Sequence, residues 1–201
     1  GLVRYRRPNA LKGREQSIPD ITNPDYFLQL ARTVDKISND LPKAEELRRG
    51  ADITPDIHTM VGDLGVILTE VCEELATSSR YETQKLTHYT EYERFGTASL
   101  AQCAIPIGTA LAHLSHVVDR LGFLHASIRH SSTERTPPPD DVRVAIQAYL
   151  DLVGTDLGMA VQQLRGKATE ISRMITTRGA LAANTHTVTP PTTALPPGRT
   201  R

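Results

Sequence analysis

The sequence predicts an all-α protein, an elongated bundle of four principal helices between two disordered arms. Apolar residues recur at alternating three- and four-residue steps over long stretches, which is typical of helices with one buried side. Aromatic residues make up only 4% of the chain and tryptophan is absent. Ala, Leu, Val and Ile must therefore form the core, and this composition favours packing of helix on helix.

Start and stop signals place the four helices at about 24–49, 55–90, 97–130 and 140–177. The first begins at Asn-Pro-Asp (23–25), which supplies an N-cap, a proline at the first position and a carboxylate at the positive end of the helix dipole. Pro42 interrupts this helix, so the segment KAEELRR is expected to form a short helix that ends near Gly50. Thr-Pro-Asp (54–56) repeats the start signal for the second helix.

The four helices have apolar stripes that predict their buried sides. The first has Phe27, Leu30, Val34, Ile37 and Leu41. The second has Ile57, Val61, Leu64, Leu68, Val71 and Leu75. The third has Leu100, Ala104, Ile107, Leu111, Leu114, Val118, Leu121, His125 and Ile128. The fourth has Ile146, Leu150, Val153, Leu157, Ala160, Leu164, Ala168, Ile171 and Ile175.

The third helix is expected to be central. It has no charged residue between Arg94 and Asp119, and a second stripe of small residues predicts that another backbone covers it closely: Ala101, Gly108, Ser115 and Gly122. The uncharged stretch is long enough to cross a bilayer, but its Gln102, Pro106 and two histidines favour a buried bundle helix over a membrane span. Pro106 is expected to kink it.

The chain is neutral overall, but its charges are unevenly distributed. A basic flexible arm (1–22) contains Arg4, Arg6, Arg7, Lys12 and Arg14 before the first acid. The bundle domain (23–178) contains nearly all the acids, and a Thr/Pro-rich disordered tail (179–201) contains none. The first arm resembles segments that lie along nucleic-acid phosphates. It could equally dock on the acidic surface of another copy, or simply be a soluble end.

A polar stretch, 77–95, contains four of the nine aromatic residues: Tyr81, Tyr89, Tyr92 and Phe95. Tyrosine tolerates exposure and is enriched at interfaces. These rings are therefore predicted to mediate association with another chain. The alternative is that they cover the end of the protein's own bundle.

Motifs of catalysis and metal binding are weak. The chain has no GxSxG, GxxxxGK[ST] or GxGxxG motif. His113 and His116 could be combined with Glu70 and Glu73, but no Glu-x-x-His pair of a di-metal bundle occurs. The Glu70/Glu73 spacing also occurs in helical nucleotide pyrophosphatases, which need a second acidic pair. No catalytic residue, metal or cofactor is predicted.

The two cysteines, Cys72 and Cys103, lie on apolar helix faces and are expected to be buried free thiols. A disulfide between neighbouring helices is the alternative.

The functional prediction is a non-enzymatic structural or protein-interaction bundle, part of a homo-oligomeric assembly. Because the basic N-terminal segment lacks an apolar run, a cytoplasmic location is expected. One alternative is a nucleic-acid-associated accessory protein that uses its basic arms. The other is a helical-bundle metal-dependent hydrolase.

Overall fold

The structure, a computed structural model, describes residues 21–84, 90–131 and 140–185 and confirms the all-α fold. Within these ranges the chain forms five helices and no strand: α1 (Pro24–Asn39), α2 (Ala44–Arg48), α3 (Thr54–Gln84), α4 (Glu91–Ser131) and α5 (Asp140–Thr185). Four are principal helices, and α2 is a single short turn in the connection from α1 to α3. At about 1.5 Å per residue, α4 is about 60 Å long.

Helices α1 and α3 begin within one residue of their predicted starts, but only α1 has the predicted side-chain cap. The Asn23 side chain accepts a hydrogen bond from the backbone N–H of Asp25 at 2.9 Å. Before α3, the Asp52 carboxylate accepts the backbone N–H of Thr54 at 3.0 Å. The first predicted helix is two helices, α1 and α2, and the turn after α2 contains Gly50 with φ of 79°, a conformation that favours glycine.

Two predicted boundaries differ from those of the structure. Helix α4 begins at Glu91 rather than near 97, so Gly96 lies inside it instead of preceding it. Helix α5 continues to Thr185, past the predicted end at 177 and past the predicted start of the tail at 179. The arms predicted to be disordered are 1–22 and 179–201. Of these, 1–20 and 186–201 lie outside the described residues, whereas Ile21 is buried and 179–185 are helical, so the prediction is wrong there.

The four long helices alternate in direction. Helix α4 packs against α5 and α3, and α1 packs against α5 and α3. Phe95 near the start of α4 lies by Lys167 late in α5, whereas His113, further along α4, contacts Asp156, earlier in α5. The two helices are therefore antiparallel. Around the bundle the order is α1, α5, α4, α3, and α2 contacts α5.

Only every second residue of the apolar stripe predicted for α4 is buried. Its core residues are Leu100, Cys103, Ile107, Ala110, Leu114, Val117, Leu121 and Leu124. The other four core residues each precede a predicted residue by one position. Of the predicted residues, Ala104 and Leu111 are half-buried, Val118 is 52% exposed and His125 is exposed. Both flanks of the Leu100 stripe are apolar, so periodicity alone could not decide between them. Packing against α3 and α5 buries the flank that contains Cys103 and leaves the flank that contains Ala104 nearer the surface. Ile128 lies where side chains are not described.

The buried side of α3 differs from its predicted stripe in the same way as that of α4, whereas the buried side of α5 agrees with its predicted stripe. Met60 and Ile67 are buried where Val61 and Leu68 were predicted. Val61 is 37% exposed, and Leu68 and Leu75 are half-buried. The predicted stripes of α1 and α5 are buried except that Leu41 is half-buried and Ile175 is 48% exposed.

The small stripe of α4 is uncovered, contrary to the prediction. Ala101, Ser115 and Gly122 are exposed and Gly108 is half-buried. A Cβ added at Gly108 or Gly122 would meet nothing within 4 Å. These residues point away from α3 and α5. The α4 backbone continues through Pro106, which is buried.

Candidate interaction surface

The outward side of α4 is the most unusual surface of the described part of the chain. We define it as the α4 outer face, formed by Ala98, Ala101, Ile105, Gly108, Ala112 and Ser115. All six are exposed except the half-buried Gly108, and Ile105 is 69% exposed. The solvent side of a bundle helix normally carries charged residues, yet none occurs from 95 to 118. The α4 outer face is thus a candidate contact for another helix.

Other large apolar side chains are exposed elsewhere on α4 and on α3. Val118 and Phe123 on α4 are 52% and 55% exposed, and Val61 and Val66 on α3 are 37% and 54% exposed. Single exposed apolar residues are ordinary, but contiguous ones mark interaction sites. Helices α3 and α4 are antiparallel, and His125 of α4 contacts Thr54 of α3. Seven residues earlier in α4 and seven residues later in α3, Val118 therefore lies opposite Val61. Val118 and Val61 therefore form a small exposed apolar contact where α4 meets α3.

The aromatic residues of the 77–95 stretch that the structure describes contact their own chain. The Tyr92 hydroxyl donates to the carbonyl of Met174 at 3.3 Å, and the Arg178 guanidinium lies 5.5 Å from the Tyr92 ring centroid. Phe95 is half-buried against the core, with the Lys167 ammonium 5.2 Å from its ring centroid. These contacts favour the alternative, in which the rings cover the end of the bundle, and a role in association stays a prediction. Tyr89 and the side chain of Tyr81 lie outside the described residues.

A shallow groove of about 620 Å³ lies beside Tyr92 at this end of the bundle. Its lining joins the start of α4 to the late part of α5: Thr90, Glu91, Tyr92, Arg173, Met174, Thr177 and Arg178. The two arginines make this end of α5 basic.

His113 and His116, which the sequence analysis considered as metal ligands without predicting a metal, both contact α5. The His113 Nδ1 lies 2.8 Å from the Asp156 carboxylate, and the Asp156 side chain is only 9% exposed. The His116 ring stacks on Tyr149 with centroids 4.8 Å apart. An aspartate that holds a histidine is part of many catalytic sites, but in the described ranges no Ser, Thr or Cys side chain is hydrogen-bonded to this pair. It fixes α4 against α5. Asp156 could not be predicted from the sequence, because no motif or spacing distinguishes a single aspartate beside the apolar stripe of α5.

The α3 glutamates lie towards α1 rather than the histidines. Burial, followed by the charges of Glu74 and Glu70, raises the pKa of Tyr26 on α1 to about 12. Glu73 is exposed. Among the described residues, no group of three or more His, Cys, Asp or Glu side chains could hold a metal ion.

A second polar cluster joins the start of α3 to the end of α4. The Thr54 hydroxyl lies 3.0 Å from His125 Nε2, and the Asp52 carboxylate lies 3.7 Å from the same nitrogen. Hydrogen bonds from Thr54 lower the pKa of Asp52. In a catalytic triad the hydroxyl and the carboxylate contact opposite nitrogens of the histidine, so this geometry indicates a contact between helix ends.

Both cysteines are free thiols, but only one is buried. Cys103 belongs to the core, and burial raises the pKa of its thiol to about 11. Cys72 is exposed, so its predicted burial is wrong.

By length and composition alone, α4 and α5 are both apolar enough to cross a membrane, over Glu91–Ser127 and Asp140–Ala180. Core helices of soluble proteins pass the same test. No protein-family model, curated protein or solved structure matches this chain.

Proposed function

We propose that this protein is a non-enzymatic interaction protein whose helical bundle assembles with further copies of itself in the cytoplasm. The observation that carries this proposal is the α4 outer face, which is exposed and uncharged along most of α4, a helix of 41 residues that packs against both α3 and α5. A helix that faces only water has no physical reason to lack charge over such a length.

The exposed apolar side chains give this assembly a driving force. Ile105, Val118 and Phe123 are each more than half exposed. Burying one such side chain completely is worth about 1.5–3 kcal/mol, so covering the remaining exposed part of each contributes about 1–2 kcal/mol. Several such contacts offset part of the entropy lost on association.

Charged groups on α5 support an aqueous location over a membrane span. Asp151 and Arg165 are exposed in the middle of the apolar stretch of α5. Arg165 also forms an ion pair at 3.2 Å with Asp35 on α1. Ionised side chains facing lipid at such a depth are costly, whereas in water they are ordinary surface groups.

The mass of the full chain in solution tests the proposal. Analytical ultracentrifugation of the purified protein over a wide concentration range should give a species of at least twice 22.1 kDa. A monomer at every concentration up to hundreds of micromolar would contradict self-association.

A second candidate is a nucleic-acid-associated accessory role. Arg173 and Arg178 make the late part of α5 basic beside Tyr92, and the N-terminal segment has five basic residues before its first acid. Fluorescence anisotropy with labelled duplex DNA and single-stranded RNA tests this role. Binding that weakens steeply with added salt would support it, because phosphate contacts release counterions.

A further inference from the structure

The outward side of α3 carries a row of acids. Exposed positions recur there at alternating steps of three and four residues, which keeps their side chains on one side of the helix. We call this surface the α3 acidic face and define it by Asp56, Thr59, Asp63, Val66, Glu70 and Glu73. Its four carboxylates span about 25 Å of the helix, and no lysine or arginine occurs in α3 before Arg80.

These four carboxylates have no cationic partner in the part of the chain that the structure describes. None of the ion pairs there includes an acid of α3. Arg32 and Lys36, which are exposed on the neighbouring α1, form no ion pair with the face. Glu70 also lies one turn from Glu73, and like charges at that spacing destabilise a helix. A cationic segment laid along this face would relieve the repulsion.

We propose that the N-terminal segment of the same chain, residues 1–20, lies along the α3 acidic face in extended form and parallel to α3. The segment carries five basic residues against two acids, Glu15 and Asp20, so its charge is complementary to that of the face. The contact concerns a surface other than the α4 outer face and does not depend on the proposed self-association. The basic residues are Arg4, Arg6, Arg7, Lys12 and Arg14.

The point at which the segment joins the bundle lies beside the late part of α3. Ile21 packs against Gly96 near the start of α4. Because α3 and α4 are antiparallel, that start lies at the same end of the bundle as the end of α3. Tyr26 on α1 lies close enough to Glu70 and Glu74 for their charges to raise its pKa. The segment therefore leaves the bundle next to the last acids of the face.

The segment is long enough to follow the whole face. Arg14 lies seven residues before Ile21 and can be up to about 25 Å from it, which brings Glu73 within reach. An extended chain rises about 3.3 Å per residue and a helix about 1.5 Å, so each residue of the segment passes about two residues of α3. With Arg14 at Glu73, Arg7 falls beside Asp56.

The same register brings apolar residues together. Leu11, three residues before Arg14, falls about 10 Å further along the face, beside Val66, which is 54% exposed. Lys12 falls beside Glu70. The segment thus offers basic residues to the acids at both ends of the face and an apolar side chain to its centre.

Tethering identifies the occupant. A segment joined to the bundle meets its own α3 at an effective concentration in the millimolar range, whereas the segment of a second copy must be captured from solution. Nucleic acids and anionic membranes are negatively charged, so this face repels them. Charge, chain length and attachment point all favour the basic segment of the same chain.

Disulfide trapping tests this contact in the full chain. In a Cys72→Ser background, Leu11→Cys combined with Val66→Cys should form a disulfide within one chain under mild oxidation. Leu11→Cys combined with Met159→Cys is the matched control. Met159 is 45% exposed on α5 and lies eight residues, about 12 Å, from Lys167, which contacts the start of α4. A segment that docks nowhere would reach both positions similarly, so we expect the Val66 pair to form at least ten times faster.

Added salt tests the charges without changing α3. In about 1 M sodium chloride the Debye length falls to about 3 Å. The Val66 disulfide should then form several-fold more slowly than at low salt, while the rate of the Met159 control should change little.

Charge reversal tests which acids hold the segment. Glu70→Lys together with Glu73→Lys should slow the disulfide at Val66 about tenfold, because two attractive pairs become repulsive. Adding Lys12→Glu with Arg14→Glu to the same chain should restore the rate.

A matched pair of reversals on other helices controls for net charge. Asp119→Lys on α4 and Asp151→Lys on α5 replace exposed acids outside the face and should leave the rate unchanged. Circular dichroism of every variant checks that the bundle is folded, and the salt dependence gives an answer even where a reversal unfolds α3.

Equal rates for the Val66 and Met159 pairs, or a Val66 rate that does not respond to salt, would overturn the inference. Covalent dimers from a mixture of the Leu11→Cys and Val66→Cys single variants, with no disulfide inside the double variant, would also overturn it. They would show that the segment of a second copy occupies the face. Sedimentation of the unmodified chain is measured separately, so a monomer would contradict the proposed self-association and leave this contact standing.

Discussion

Replacing Gly96 by alanine should destabilise the bundle, although alanine is the better helix former. Gly96 is buried inside α4, against the chain just before α1. A Cβ there would collide with the carbonyl oxygen of Ile21 and lie 3.1 Å from its carbonyl carbon. The obstructing atoms belong to the backbone, so no side-chain rotation can relieve the contact.

Two opposing effects set the magnitude. Exchanging glycine for alanine within a helix gains about 1 kcal/mol, while overpacking costs about 1–3 kcal/mol. The propensity gain can be measured separately with Gly166→Ala, because that glycine is exposed and has open space around it. The free energy of unfolding of Gly96→Ala should then fall about 1–3 kcal/mol below that of Gly166→Ala.

Thermal unfolding followed by circular dichroism measures the difference. Each kcal/mol shifts the midpoint by about 2–4 °C in a chain of this size, so Gly166→Ala should unfold at a higher temperature than the parent and Gly96→Ala at a lower one. If both variants gain the same stability, the segment at Ile21 is not packed on α4 and the reasoning is refuted.

Three further predictions concern the polar and titrating groups. Changing His113 to Ala should lower the free energy of unfolding, measured with denaturant, by about 1–3 kcal/mol, because it leaves the buried Asp156 carboxylate without its partner. Adding Asp156→Ala should recover part of that loss, and additive costs of the two substitutions would contradict the coupling. In absorbance titration at 295 nm, Tyr26 should ionise near pH 12, so the stability it contributes is complete below about pH 10 and is lost as the pH rises towards 12; a single transition near pH 10 for all tyrosines would be inconsistent. Ellman's reagent should modify Cys72 in the folded protein and reach Cys103 only after unfolding, and rapid reaction of both thiols would show that the core opens.

Local patterns of the sequence determined the fold class and the places where α1, α3 and α5 begin. The cap at Asn23 and the stripe of α5 from Ile146 to Ile171 were both predictable. They depend on residues within a few turns of one another, and periodicity and capping are properties of the chain itself. The same local reading identified the uncharged stretch and the small stripe from which the candidate interaction surface is built.

Only the tertiary structure decided which side of each helix faces inward. In α4 both flanks of the Leu100 stripe are apolar, and the positions of α3 and α5 bury Val117 and expose Val118. The same rotation turns the small stripe outward, so residues expected to lie under a neighbouring helix became the candidate surface. Gly96 was expected to precede the helix, but in the structure it lies inside α4 and packs against Ile21, a contact with a distant part of the sequence. A spacing within one helix specifies a face, but the helices packed around it decide where that face points.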